Sequence, residues 1–191
     1  KICTDIFDDA QWLNGLVENL LSITKIAEGS VRLHLSDQIV EDVITEALRH
    51  IDRRSKEHSI TVDCGDAPVL ARMDAGLIVQ VLVNLVNNAI KYTPAGSHIV
   101  LRAERWGSMV EVSIADDGPG ISDEAKAHLF DMFYTASQGN SDNRRGLGLG
   151  LSLCRSIVSA HGGTISVTDN SPHGSVFTFT LPLEEVKIEN V

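Results

Sequence analysis

The stretch "NLVNNAIKYTP", residues 84–94, decides how this chain is read. At 100° per residue, Ile78, Leu82, Leu85 and Ala89 fall on one side of a helix, while Gln80, Asn84, Asn88 and Lys91 gather within about 80° on another. A merely solvated face would be filled with Glu, Lys or Gln, because each Asn costs roughly half a kcal/mol or more of helix propensity relative to Ala. The amides therefore call for another explanation. Asn84 and Asn88 lie one turn apart and offer carbonyl oxygens suited to a hard cation such as Mg²⁺, with N–H groups suited to phosphate. Lys91, a further turn along, adds positive charge for the same phosphates. The polar stripe points to a ligand, on a helix for which Asp74 supplies an N-cap.

Three signals follow in chain order. In "DDGPGI", Asp116, Gly118 and Gly120 combine a carboxylate that can accept from an exocyclic amine with glycines that let the backbone approach a ligand. "FDMF" sets Phe130 and Phe133 one turn apart, a spacing that predicts core packing for both. In "GLGLGL", Gly146, Gly148 and Gly150 open a helix, where free N–H groups and the positive dipole end favour phosphate. This run is not a dinucleotide fingerprint, which would require glycine at Leu151 or Leu153, and no GxxxxGK[ST] motif occurs.

Outward from these segments, residues 1–28 carry apolar or small residues at Cys3, Ile6, Ala10, Leu13, Val17, Leu20, Thr24 and Ala27, a heptad seam widened by Phe7, Leu16, Leu21 and Ile23. That pattern predicts one long helix in a bundle whose other helices are not all in this chain. A second start signal at Ser36 or Asp37 predicts a helix to about residue 57. Strands are predicted in "SITVDC" and "PVLARM", in a hairpin over 98–105 and 109–115 turning at Trp106–Ser108, and in a last hairpin, "TISVTDN" and "SVFTFTLPL". Helices interleaved with antiparallel hairpins imply an α+β class, a mixed sheet packed against helices. The predicted divisions are 1–28, a linker at 29–36, a main domain at 37–184 and a tail at 185–191.

The composition narrows the function. A net charge of −10 without a block of like charge argues against a nucleic-acid or anionic-membrane surface. Residues 1–191 hold no uninterrupted apolar stretch of spanning length and no basic-then-apolar leader pattern, so a soluble piece without direct membrane contact is expected. Three isolated cysteines suit packing in a reducing compartment, and seven scattered histidines lack zinc-site spacing. His161, in "AHGG", reads as a helix-end residue where partial positive charge is favourable.

Taken together and in this order, "NLVNNAIKYTP", "DDGPGI", "FDMF" and "GLGLGLSLCRSIVSAHGG" resemble the N, G1, F and G2 boxes of sensor histidine kinases. The resemblance implies a Bergerat-type α/β sandwich over about 37–184 that binds ATP with Mg²⁺, preceded by the second helix of a dimerisation and phosphotransfer domain. "KYTPAGS" and "CRSIVSAHGGTI" resemble the potassium-sensing Kdp-type branch. Carried over by position, Asn84 and Asn88 would serve Mg²⁺ and phosphate, Lys91 the phosphates, and Tyr92 would lie beside the nucleotide. Asp116 would bind adenine on a turn shaped by Gly118 and Gly120. Gly146, Gly148 and Gly150, with Leu147 and Leu149 between them, would flank the phosphates at a mobile lid, residues 134–145. Arg144 or Arg145 would reach the γ-phosphate, and Thr178 would sit near adenine.

The same resemblance implies a cytoplasmic portion of a membrane-bound sensor, homodimeric in the full-length protein, with a response-regulator receiver domain as partner. The family's phosphoacceptor is a histidine with an acidic neighbour; none of the histidines here has that context, so these residues are expected to bind Mg-ATP without phosphorylating themselves. Two other readings compete. An ATP hydrolase of the same fold would place a glutamate base where Asn84 stands, and an amide cannot usefully accept a proton. A non-catalytic interaction module would show no stabilisation by Mg-ADP.

Overall fold

A computed structural model of the chain describes residues 32–135 and 148–183, together with Val17, Leu21 and Thr24. Most of the helix expected over 1–28, part of the linker, and the segments 136–147 and 184–191 lie outside the described residues, and with them the candidate residues Arg144, Arg145, Gly146 and Leu147. The three described N-terminal positions are helical, with Val17 and Leu21 each 50% exposed. The chain divides into two compact units, Leu33–Ile121 with Ile157–Val191, and Lys1–Arg32 with Ser122–Ser156.

The first unit contains β1 (Ser36–Ile39), α1 (Val40–Leu48), a 3-10 helix (Arg53–Glu57), β2 (Ser59–Asp63), β3 (Leu70–Met73), α2 (Ala75–Tyr92), β4 (His98–Trp106), β5 (Met109–Asp116), β6 (Ile165–Asp169) and β7 (Ser175–Pro182). β1 and β3 pair antiparallel, and the other strands form one sheet in the order β2-β4-β5-β7-β6. Among the described residues only β2 and β4 run parallel. Parallel neighbours need a long crossover, and that crossover carries β3 and α2. The sheet is therefore mixed, and the class is the expected α+β.

Strand alternation gives the sheet two unlike faces. Ile99, Leu101 and Ala103 of β4, Val110, Val112 and Ile114 of β5, and Phe177, Phe179 and Leu181 of β7 are buried. The register puts Arg102, Ser113, Thr178 and Ser166 in one row on the opposite, wetter face.

Helix α2 begins as its sequence dictates. Asp74 caps it, its Oδ1 accepting from Leu77 N at 3.4 Å. Ile78, Val81, Leu82, Leu85, Val86, Ala89 and Ile90 are buried, and the helix packs on α1 and against β5. Each large apolar side chain so buried contributes roughly 1.5–3 kcal/mol, which outweighs the propensity cost of the asparagines. At its C-terminal end Thr93 is extended, as the following proline requires, and its Oγ1 donates to Ala89 O at 2.7 Å.

Two expectations near the start of this unit are corrected. Residues 36–39 form a strand rather than a helical turn, because the backbone of β3 offers them an antiparallel ladder from Ser36↔Met73 to Ile39↔Leu70. The helix then starts only at Val40 and ends at Leu48. Asp52 accounts for the break before the 3-10 segment: its carboxylate accepts from Arg54 N at 2.8 Å, a local bond that competes with helix continuation.

His161 stands at a helix end, as expected, and is buried there. It is 5% exposed, with Nδ1 at 2.7 Å from Ile157 O and Nε2 at 3.0 Å from Asp74 N. Since a backbone N–H must donate to Nε2, the hydrogen sits on Nδ1 and the ring bridges two backbone groups.

The second unit contains α3 (Asp123–His128), capped by Ser122 Oγ accepting from Ala125 N at 3.2 Å, and the start of α4 (Gly150–Ala160), whose last turn belongs to the first unit. Phe130 is half-buried, but Phe133 is 62% exposed and so departs from the predicted core role. The cause is local. Phe133 takes a left-handed φ of 65° and its N–H donates to Gly148 O at 3.1 Å, which turns the side chain outward.

Candidate functional site

The three asparagines of α2 do different work. Asn87 Oδ1 accepts from Asp52 N at 2.8 Å and holds the approach to the 3-10 helix. Asn84 and Asn88 are half-buried, yet among the described residues neither amide has a hydrogen-bond partner. Partly buried amides left open in this way are poor stabilisers and good ligand groups. Lys91 is exposed, with Nζ 3.1 Å from Tyr92 Oη and 4.8 Å from the centre of the Tyr92 ring. Tyr92 itself is 54% exposed.

The end of α2 meets the loop after β5. A methyl group built on Gly118 would lie 2.7 Å from Thr93 Cγ2 and 2.8 Å from Asp116 Oδ1, so only glycine fits between them. Asn88 precedes Thr93 by about 7.5 Å of helix axis. The loop bends at Gly120, where φ is +78°. Asp116 is 7% exposed. Its Oδ1 accepts from Gly118 N at 2.9 Å and Ser175 N at 3.3 Å, and Oδ2 takes no hydrogen bond among the described residues. Burial pushes its carboxyl above the ordinary value; the Gly118 and Ser175 N–H groups pull the other way, and neighbouring Asp117 adds to the rise.

Asp117 differs in environment. Burial raises its carboxyl too, but the His98 backbone N–H at 2.8 Å and imidazole at 3.0 Å hold it below the ordinary range. One aspartate of the pair thus anchors the loop, and the other presents an open oxygen.

Thr178 is not brought to this place. It pairs with Ser113 and Ser166, three positions along the ladder from the Asp116↔Ser175 pair and hence on the other face of the sheet. The residue of β7 that reaches Asp116 is Ser175, through its backbone N–H. The turn before it contributes as well: Asn170 Nδ2 donates to Asp116 O at 2.8 Å, and His173 Nδ1 lies 3.3 Å from Gly118 O. Gly174, at φ +114°, lies so close that a Cβ would overlap Asp116 O. Sequence reasoning did not single out Asn170, Gly174 or Ser175; the glycine and asparagine between two strands were the available signal, but they read equally as an ordinary turn.

Gly148, Leu149 and Gly150 belong to the second unit. Gly148 has φ +67°, and a Cβ there would overlap the Tyr134 backbone. Leu149 is buried, so only its backbone could serve a ligand; its carbonyl accepts from Leu153 N at 3.0 Å and begins α4. The first N–H groups of that helix have no intrahelical acceptor.

Among the described residues no cluster of three or more His, Cys, Asp or Glu could cage a metal ion. The open Asn84 and Asn88 amides fit a magnesium ion that keeps water and phosphate oxygens as its other ligands. None of the described helices is long and apolar enough to cross a membrane.

The family model described as "Histidine kinase-, DNA gyrase B-, and HSP90-like ATPase" matches residues 73–185, more than half of the chain. The chain belongs to this ATPase family. The chain is 39% identical over 184 residues to the sensor protein KdpD of Clostridium acetobutylicum, a match covering 96% of this chain and 20% of that protein. The chain spans about a fifth to just under half of the length of the curated relatives it matches. Among solved structures, the catalytic domain of histidine kinase ThkA superposes with a TM-score of 0.69 at 30% identity, covering 78% of this chain and 96% of that one. ThkA in complex with the response regulator protein TrrA gives 0.69 at 28% identity, covering 90% and 49%. Full-length ShkA in complex with AMPPNP gives 0.81 at 26% identity, covering 94% and 38%. The chain thus has the fold of a histidine kinase catalytic domain, and several of its relatives are named as sensor proteins or histidine kinases.

Proposed function

We propose that this chain is the Mg-ATP-binding catalytic part of a sensor histidine kinase, which in the whole protein delivers the γ-phosphoryl group to a histidine for relay to an aspartate of a response-regulator receiver domain. The observation that carries the reading is the pair of open amides, Asn84 and Asn88, on the helix whose end packs against the Asp116 loop. Asp116 Oδ2 would accept from the adenine amine, and Thr93 and Gly118 would line the approach. Asn84 and Asn88 would hold Mg²⁺ through their carbonyl oxygens, and Lys91 would release Tyr92 to meet phosphate. Backbone N–H groups of Gly148 and Gly150, with Gly146 and one of Arg144 or Arg145, would receive the phosphates. When bound, Mg²⁺ neutralises phosphate charge.

Phosphoryl transfer asks positioning and charge neutralisation of this domain rather than covalent help. None of the histidines of residues 1–191 is followed by an acidic residue, so we propose that these residues bind nucleotide without autophosphorylation. An AMPPNP complex and a response-regulator complex among the structural neighbours support the ligand and partner proposed. The similarity to a sensor protein named KdpD supports a Kdp-type branch; a membrane-bound, dimeric parent with this part on the cytoplasmic side is proposed on the family resemblance alone.

The test supplies a histidine-bearing helix in trans with radiolabelled ATP. Wild type should transfer label, and Asn88→Asp and Asp116→Asn should not. Equal transfer by all three proteins would remove the site assignment. Thermal stabilisation by saturating Mg-ADP checks binding separately.

A further inference from the structure

The turn between β6 and β7 makes more contacts with the Asp116 loop than closing a hairpin requires. Asn170 N donates to Gly174 O at 3.0 Å, and Asn170 Oδ1 accepts from Ser171 N at 2.9 Å, so the turn fixes its own asparagine. That leaves Nδ2 aimed outward, at 2.8 Å from Asp116 O. The next residues follow the same path, with His173 on Gly118 O and Ser175 N on Asp116 Oδ1. Gly174 admits this approach because it has no Cβ to overlap the Asp116 carbonyl. The main chain of Asp116 is thus held from one side by a side-chain amide, while its carboxylate is held by two backbone N–H groups.

We propose that Asn170 is a positioning residue for purine selectivity: by fixing the Asp116 carbonyl it aims the free Oδ2 at a 6-amino group and rejects a 6-oxo group. The proposal rests on the adenine-nucleotide reading above. A carboxylate oxygen accepts from an amine and repels a ring carbonyl, so discrimination depends on where that oxygen points. Asn170 touches no nucleotide in this scheme. It acts through Asp116 alone, which separates its effect on base choice from any effect on phosphate binding.

The experiment compares wild type, Asn170→Asp and Asn170→Ala by calorimetric titration with Mg-ADP and Mg-IDP, which differ at position 6 of the purine. Asn170→Asp keeps the size and the Ser171 contact but sets an oxygen against the Asp116 carbonyl; Asn170→Ala removes the donor without adding charge. Wild type should prefer Mg-ADP. Both variants should lose about tenfold in Mg-ADP affinity, the scale of one hydrogen bond, with Mg-IDP affinity changed less than twofold; the urea midpoint should fall modestly, as the lost Asn170 bonds require, with the unfolding transition still cooperative. If both variants keep the wild-type ADP to IDP ratio, or lose affinity for both nucleotides alike, Asn170 has no role in base choice. A wild type that binds neither nucleotide would bring down the site reading itself, and this proposal with it.

Discussion

His161 joins two distant parts of the first unit: its Nε2 accepts from the backbone N–H of Asp74 at 3.0 Å while its Nδ1 donates to Ile157 O at 2.7 Å. Asp74 is also the N-cap of α2, and its Oδ2 accepts from His34 N at 3.0 Å. Helix α2 is therefore seated at its start by a buried imidazole. Replacing that ring leaves the Asp74 N–H without its acceptor and a gap in the packing, while Ile157 O keeps the backbone N–H of residue 161 at 3.2 Å. His161→Ala should cost about 2–3 kcal/mol in chemical denaturation. Loss of less than half a kcal/mol would show that the bridge contributes little.

The asparagines of α2 separate structural from ligand roles. Asn87→Ala removes the acceptor for Asp52 N and should destabilise by about 1 kcal/mol. Asn88→Ala breaks no bond among the described residues and should leave stability unchanged or raise it by roughly half a kcal/mol through helix propensity. Nucleotide titration should give the reverse ranking, with Asn88→Ala losing Mg-ADP binding and Asn87→Ala largely keeping it.

Acid should act through Asp116. Its folded carboxyl lies above the ordinary 3.8, so between those values the folded state holds more protons than the unfolded one. The Asp116 contribution to stability is accordingly present below 3.8 and is lost as pH rises through the folded value. Asp117 has the opposite sign: its lowered carboxyl contributes stability above 3.8 that disappears as pH falls through its folded value. Binding follows the ionised form of Asp116, because a protonated acid no longer offers both oxygens to an amine. Calorimetry should show Mg-ADP affinity falling on acidification with a midpoint above 3.8, and Asp116→Asn should be weak and flat across the same range.

Two glycines give a contrast in tolerance. Gly148→Ala places a methyl against the Tyr134 backbone at a φ of +67°, and should cost at least tenfold in Mg-ADP affinity together with about 1–2 kcal/mol of strain. Gly76, in the first turn of α2, meets only Asp74 Oδ1 at 3.6 Å, so Gly76→Ala should raise stability by up to about 1 kcal/mol without touching binding. Thermal melts with and without Mg-ADP measure both.

Much of the site was legible because its chemistry is local. Asn84 and Asn88 repeat one turn apart, so spacing singles them out, whereas Asp116 beside its glycines also reads as an ordinary turn and stands out only through the order of the four motifs. The capping aspartate and the hairpin at Trp106 were readable for the same reason. What escaped acts across the chain or through the backbone. Ser175 reaches Asp116 with an N–H that any residue but proline would have, and Asn170 does so across 54 positions. β1 was hidden because Ile39 and Val40 also suit the apolar stripe of α1; the pairing with β3 decided the matter, and no window of sequence contains both. Phe133 read as core from its spacing to Phe130, but the left-handed backbone at that residue cannot be seen in composition.

The close seating of Gly174 on the Asp116 carbonyl limits where this chain can change in length. An insertion or deletion between Asp169 and Ser175 would shift the Asp116 loop together with the turn, so added residues there should be selected against even though the turn lies at the surface. The hairpin tip at Gly107 and Ser108, beside an exposed Trp106, meets no such neighbour at its glycine and is where loop grafts or epitope tags belong.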